Sequence, residues 1–175
     1  MKRLSFVLLV VLLVISSGVL SACTASPKAR TDEFVKYLPG ETASWERDDD
    51  ATVQLVSSTV SSKGHVTLFY TGPDDATAYI VVETHGGVDA AEVALSDRMR
   101  DLLLRGLVFD KNRAPQKATA DVAQQGPVRY ALLQEEEIVV EINVLAADDE
   151  HLVTDEVFDE LLAIVRGAYE KVLDD

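Results

Sequence analysis

The feature that most constrains this chain is an order of apolar patterns that occurs twice: three short strand-like runs, then an amphipathic helix. The runs Thr52–Val60, His65–Thr71 and Thr77–Thr84 are separated by Ser61-Ser62-Lys63-Gly64 and Gly72-Pro73-Asp74-Asp75, both rich in turn formers. A helix follows, with Asp89 and Glu92 spaced as a capping box and Val88 placed to staple onto Val93. Its apolar stripe is Val88, Ala91, Leu95, Met99, Leu102 and Leu103. Gly106 then supplies a left-handed residue after the last turn, so that Leu107 can fold back onto Leu102. The second half repeats the order with Lys117–Gln124, Pro127–Gln134 and Glu137–Ala146, and a helix capped by Thr154 that runs to Leu173. Phe158, Leu161, Leu162, Val165, Tyr169 and Val172 give that last helix a broad apolar face.

This βββα-βββα order predicts an α+β fold: a six-stranded, mainly antiparallel sheet with two helices packed on one face. Ile80-Val81-Val82-Glu83 recurs as Ile138-Val139-Val140-Glu141, each time in the strand before the helix. Duplication and convergence of two buried strands both account for that likeness. For the last hairpin, pairing Leu132 with Ile138, Tyr130 with Val140 and Val128 with Ile142 gathers the large residues on one face and leaves Gln134-Glu135-Glu136 as the loop. A one-residue slip would put Arg129 opposite Ile142 on the buried side. Upstream, Thr31-Asp32-Glu33 opens a short helix through Leu38, stopped by Pro39-Gly40, and Trp45 is expected as a lid on the core.

A chain of 175 residues with 47% hydrophobic content has room for one domain with a real core. Its 30 acidic residues outnumber 16 basic ones, and no basic stripe offsets them, which excludes nucleic acid as a partner. The single cysteine, Cys23, means that the fold must hold without a disulfide.

Cys23 ends a distinctive N-terminal stretch. Met1-Lys2-Arg3 is followed by an apolar run from Leu4 to Ile15 and by small residues up to Leu20-Ser21-Ala22-Cys23. That tetrapeptide resembles the lipobox of bacterial lipoproteins. The resemblance implies residues 1–22 as a signal peptide, cleavage before Cys23, and an S-diacylglycerol (and N-acyl) cysteine that tethers the chain to the extracytoplasmic side of the cell membrane. Two or more acyl chains make such a tether stable where one holds only marginally. The other reading of this stretch is an uncleaved anchor, since Leu4 to Leu20 is nearly long enough to span a bilayer. Loss of Lys2 and Arg3 with the leader takes the formal charge from −14 to about −16, so membrane attachment is expected to come from covalent lipid and not from adsorption to anionic headgroups. Residues 23–30 are expected to be the lipidated cysteine and a short linker, and residues 31–175 a single globular domain. The stretch Tyr37-Leu38-Pro39-Gly40 with Trp45 and Arg47 also resembles uncharacterised bacterial lipoproteins, a likeness that implies no activity.

Two weak sites stand out within the domain. If Thr71 pairs with Thr77, then His65 faces Glu83 with His85 diagonally beside them, a set with the donors for zinc or for acid–base chemistry. A solvated polar patch at a sheet end explains the same residues. If Ile80 and Val82 face the helices, Phe69, Tyr79 and Val81 face the other way and form an apolar patch, either covered by the segment with Trp45 or open to a ligand or partner. The acidic runs, such as Asp48-Asp49-Asp50, lack the alternating spacing and glycine of a calcium loop and are expected at turns. No Gly-x-Ser-x-Gly elbow or phosphate-cradling loop is present; Gly86-Gly87 is the nearest approach to one, and Asp89 beside it repels anions. The expectation is therefore a membrane-anchored binding or accessory module with no cofactor, whose partner is a protein or small ligand. The alternative is a metal-dependent or hydrolytic enzyme using His65, Glu83 and His85.

Overall fold

A computed structural model describes residues 26–54, 64–110 and 121–173. The leader, the Leu20–Cys23 motif, residues 55–60 of the first expected strand and residues 117–120 of the fourth lie outside the described residues.

The α+β class and the antiparallel sheet are as expected. In chain order the elements are α1 (Pro27–Lys36), β1 (Glu46–Gln54), β2 (Gly64–Thr71), β3 (Thr77–Thr84), α2 (Val88–Leu104), β4 (Phe109–Asp110), β5 (Asp121–Gln125), β6 (Val128–Glu135), β7 (Ile138–Leu145) and α3 (Asp155–Leu173). Every neighbouring strand pair is antiparallel, in the order β1-β2-β3-β7-β6-β5-β4. The six longer strands form the expected sheet, and the two-residue β4 extends its edge. The Ile-Val-Val-Glu strands β3 and β7 are central neighbours, with Ile80 opposite Ile142 and Val82 opposite Val140.

The sheet has two ends. Gly64, Thr84 and Ile138 mark the near end, and Thr71, Thr77, Leu145 and Val128 mark the far end. It also has two covered faces, where the sequence predicts helices on one. Val66, Leu68, Tyr70, Ile80, Val82 and Val140 lie in one apolar cluster with Phe34, Trp45, Phe158 and Tyr169, so α1 and α3 cover this first face. Leu132 and Ala123 point the other way and pack with Leu102, Leu107, Leu95 and Met99, which places α2 on the second face. The reason lies in β6 and β7. Leu132 and Leu133 are both fully buried, as are Ile138 and Val140, with Val139 between them nearly so; strands this apolar on both faces need cover on both. The strand order is symmetric about β3 and β7, but helices on opposite faces mean that this symmetry does not extend to α2 and α3.

The β6–β7 register differs from the expected one by three residues. Glu135 pairs with Ile138, Leu133 with Val140 and Arg129 with Val144, leaving Glu136-Glu137 as a two-residue turn with Glu136 left-handed at φ 48°. The expected register avoided burying an arginine. Arg129 is buried nonetheless, because its Nη1 donates to Asp155 at 2.7 Å and its guanidinium lies 5.8 Å above the Phe158 ring.

Local signals explain the element ends. Helix α1 starts four residues before the expected Thr31, because Ser26 caps it, accepting from the Ala29 N–H at 3.2 Å, and Pro27 opens the first turn. The boundary between linker and domain therefore falls at residue 26, not at residue 30. Strand β1 starts at Glu46, six residues before the expected Thr52, and takes in the Asp48-Asp49-Asp50 run. On an edge strand those charges reach solvent and discourage a further strand from pairing. Helix α2 is capped by Gly87 without a side-chain bond, so Asp89 sits in the first turn and not at the cap. Its other end is as expected: Leu107 N–H donates to Leu102 O at 3.1 Å and Gly106 N–H to Leu103 O at 3.0 Å, with Gly106 at φ 90°. Thr154 caps α3, accepting from the Val157 N–H at 3.4 Å.

Candidate functional site

The β2–β3 hairpin has the register read from its turns: Thr71 pairs with Thr77 and His65 with Glu83. Alternation along β3 sends Glu83 to the second face at the near end, where α2 begins. His65 Nδ1 lies 2.9 Å from Glu83 Oε1, and His65 Nε2 lies 3.3 Å from Thr67 Oγ1. With Glu83 ionised, Nδ1 donates to the carboxylate and leaves Nε2 to accept from the threonine hydroxyl. His85, held by its backbone N–H on Glu137 O at 2.8 Å, brings Nε2 to 3.6 Å from Glu83 Oε2. The three residues singled out from the sequence therefore do meet, around a carboxylate that is only 8% exposed.

Their geometry argues against a metal centre. Each carboxylate oxygen of Glu83 faces a different imidazole, so the rings flank the acid and do not converge with it on a common point. Among the described residues, no group of three or more His, Cys, Asp or Glu side chains is placed to hold a metal ion. Beside the cluster, Val81, Glu83, Ala94, Arg98, Val139 and Glu141 surround a void of about 10 Å³, space for one water at most. Glu141 pairs there with Arg98 at 3.0 Å. Burial pushes the Glu141 carboxyl above its ordinary value; Arg98 and Arg105 oppose the shift, and Glu83 adds to it.

The apolar patch divides in two. Phe69 and Tyr79 stack edge to face with centroids 5.0 Å apart and remain half-buried, whereas Val81 borders the void under α2. Trp45 does not cover them. It lies on the first face, 1% exposed, with Nε1 donating to Val157 O at 2.9 Å and its ring against Gly72. Phe69 and Tyr79 belong to a row that crosses the sheet, from Asp48 through Phe69, Tyr79 and Asn143 to Tyr130. Such a row was not readable before the pairing of β3 with β7 and β6 with β7 was known.

An open groove of about 380 Å³ lies at the far end, lined by Glu46, Arg47, Asp48, Asp49, Asp50 and Thr71. Arg47 is tied within it to Asp49 at 2.6 Å and to Leu38 O at 3.1 Å. It was missed from sequence because the aspartates were expected in a turn. Cys23 lies outside the described residues. Among those described, no helix is long and apolar enough to cross a membrane. No protein-family model, curated protein or solved structure matches this chain.

Proposed function

We propose that this chain is an extracytoplasmic lipoprotein: a domain held at the cell membrane by lipid on Cys23 that binds a partner and does not catalyse a reaction. The observation that carries the reading is the N-terminal sequence, in which a basic start, an apolar run and Leu20-Ser21-Ala22-Cys23 stand in the right order and spacing. The start of the fold is compatible with it. Ser26 already caps α1, so an acyl-cysteine at position 23 leaves no free segment that needs a fold of its own.

Two features support binding over catalysis. Glu83, the centre of the polar cluster, is 8% exposed and borders a void with room for one water, whereas a catalytic group must reach its substrate directly or through a single water. Among the described residues, a groove with room runs along β1, and the half-buried Phe69–Tyr79 pair adjoins it through the pairing of Asp48 with Phe69. Aromatic rings next to carboxylates suit a cationic segment of a protein or a cationic small molecule.

Expression of the chain in a bacterium with labelled fatty acid tests the anchor. The wild type is expected in the membrane fraction, labelled and shortened by the leader, and the Cys23→Ser variant unlabelled and with its leader uncleaved. Equal membrane association of the two without label points instead to an uncleaved leader.

A further inference from the structure

The lipid anchor and the fold together set which end of the domain meets the membrane. This step rests on lipidation at Cys23. Three peptide units separate Cys23 from Ser26, so the Cα of the capping residue is held within roughly 11 Å of the lipidated residue. The first turns of α1 are also locked to the near end of the sheet. Pro27 O and Thr31 press on Gly64, where a Cβ would have no room. Thr31 Oγ1 donates to Thr84 Oγ1 at 2.8 Å. Arg30 Nε reaches Glu137 Oε1 at 3.2 Å, and Arg30 Nη1 donates to Val172 O at 3.1 Å. The exit point of the tether thus moves with the start of β2, the end of β3, the β6–β7 turn and the end of α3 as one body.

Both ends carry acidic residues, Glu135, Glu136, Glu137 and Glu170 at the near end among them, but the far end carries more. The far end gathers Asp48–Asp50 on β1, Asp74 and Asp75 after β2, and Asp148–Glu150 after β7. The cations placed there, Arg47 and Arg129, are already bound to Asp49 and Asp155. Anionic headgroups repel such a surface within about a Debye length, ~8–10 Å in physiological salt. A domain lying on its far end would hold those carboxylates against the bilayer, and the short tether would have to span the fold.

We propose that the near end of the domain rests on the bilayer surface, with the sheet upright and the acidic far end pointing away from the membrane. This orientation places the His65–Glu83–His85 cluster on the membrane side and presents the groove along β1 to partners in the surrounding space.

Helix α3 spans the two ends and gives the test. Glu156 and Glu170 are both exposed and lie about 21 Å apart along it, at 1.5 Å per residue. The lipidated full-length protein carrying Glu156→Cys or Glu170→Cys is labelled with a fluorophore, Cys23 being blocked by its lipid. It is then incorporated into phosphatidylethanolamine/phosphatidylglycerol vesicles with a nitroxide on the headgroups. The probe at 170 is expected to lose most of its fluorescence and the probe at 156 little. A flexible Gly/Ser insert of about ten residues before Ser26, with a mean span of about 17 Å, is expected to erase the difference. Equal quenching without the insert, or stronger quenching at 156, overturns the orientation while leaving the anchor in place. Failure of the wild type to stay on vesicles overturns the anchor and the orientation together.

Discussion

Gly72 and Trp45 give the sharpest test of how the N-terminal segment is joined to the sheet. Gly72 follows β2 with ordinary extended backbone, φ −120°, so an alanine there carries no conformational penalty. In isolation Gly72→Ala would stabilise the chain by about 0.4–1 kcal/mol through the unfolded state. Its Cβ, however, would lie 2.5 Å from Cζ3, 2.7 Å from Cε3 and 2.8 Å from Cη2 of Trp45. Ordinary carbon contacts need 3.5–4.0 Å, so the indole must retreat by about 1 Å. It cannot do so freely, because it is 1% exposed and its Nε1 is tied to Val157 O at 2.9 Å. Overpacking of this kind costs about 1–3 kcal/mol, and the net loss for Gly72→Ala is expected near 1–2 kcal/mol.

Trp45→Ala alone removes the indole from the first-face core and is expected to cost about 3–5 kcal/mol. In that background the alanine at 72 meets empty space, and adding it is expected to be neutral or slightly stabilising. The coupling between the two sites is therefore about 1–3 kcal/mol, with the double variant more stable than additivity allows. Urea unfolding of the leaderless Cys23→Ser chain, followed by far-UV circular dichroism, measures all four corners of the cycle. A Gly72→Ala cost that is the same with and without the indole would refute the close approach as its cause. A harmless Gly72→Ala in the wild-type background would show that the segment is not packed on β2 as described.

Asp155→Asn is expected to destabilise the chain by about 1–3 kcal/mol, since Arg129 keeps its buried charge but loses a charge-assisted partner; a cycle with Arg129→Met, read by thermal unfolding, should return most of that loss. Glu141 has its pKa raised by burial, so the folded state holds its proton more tightly than the unfolded chain does. Its contribution therefore favours folding at acid pH and weakens as pH rises from the ordinary carboxylate value through the folded one. Comparing Tm at pH 5 and pH 7 in the wild type and in Glu141→Gln should show a smaller pH dependence in the variant. Zinc or cobalt added to the domain is expected to leave Tm unchanged, because Glu83 separates the two imidazoles; a metal-dependent rise that vanishes in His85→Ala would restore the metal-centre reading. Gly106→Ala is expected to cost about 1 kcal/mol or more in urea unfolding, because φ 90° there suits only glycine.

Turn chemistry and helix ends were legible in the sequence wherever the signal was local. Gly72-Pro73-Asp74-Asp75 fixed the β2–β3 hairpin and with it the meeting of His65 and Glu83. Gly106 and Thr154 marked the helix ends at which they stand. Signals that depend on partners were not legible. Arg129 argued against its own register, because the aspartate and phenylalanine that accommodate it lie 26 and 29 residues further along the chain. The clue to a sheet covered on both faces was present in Ala131-Leu132-Leu133 and Ile138-Val139-Val140, runs without alternation. Reading them as one-faced strands put both helices on one side. Ser26-Pro27 was likewise a complete helix start, hidden by its place in a stretch of linker composition.

That last shift changes what the anchor does. A seven-residue linker from Thr24 to Arg30 would reach at most about 25 Å and keep the domain close to the membrane without fixing its attitude. With Ser26 as the cap and Arg30 and Thr31 bonded to the sheet and to α3, residues 26–30 belong to the folded body. Lipid on Cys23 would then fix position and attitude at once. The two polar regions of the domain are also separated by this arrangement. The histidine cluster lies at the end nearest the tether, its Glu83 buried beside α2, while the acidic groove stands open at the other end. In the proposed orientation that groove points away from the bilayer, where a cationic partner would reach it without competing with the membrane for contact.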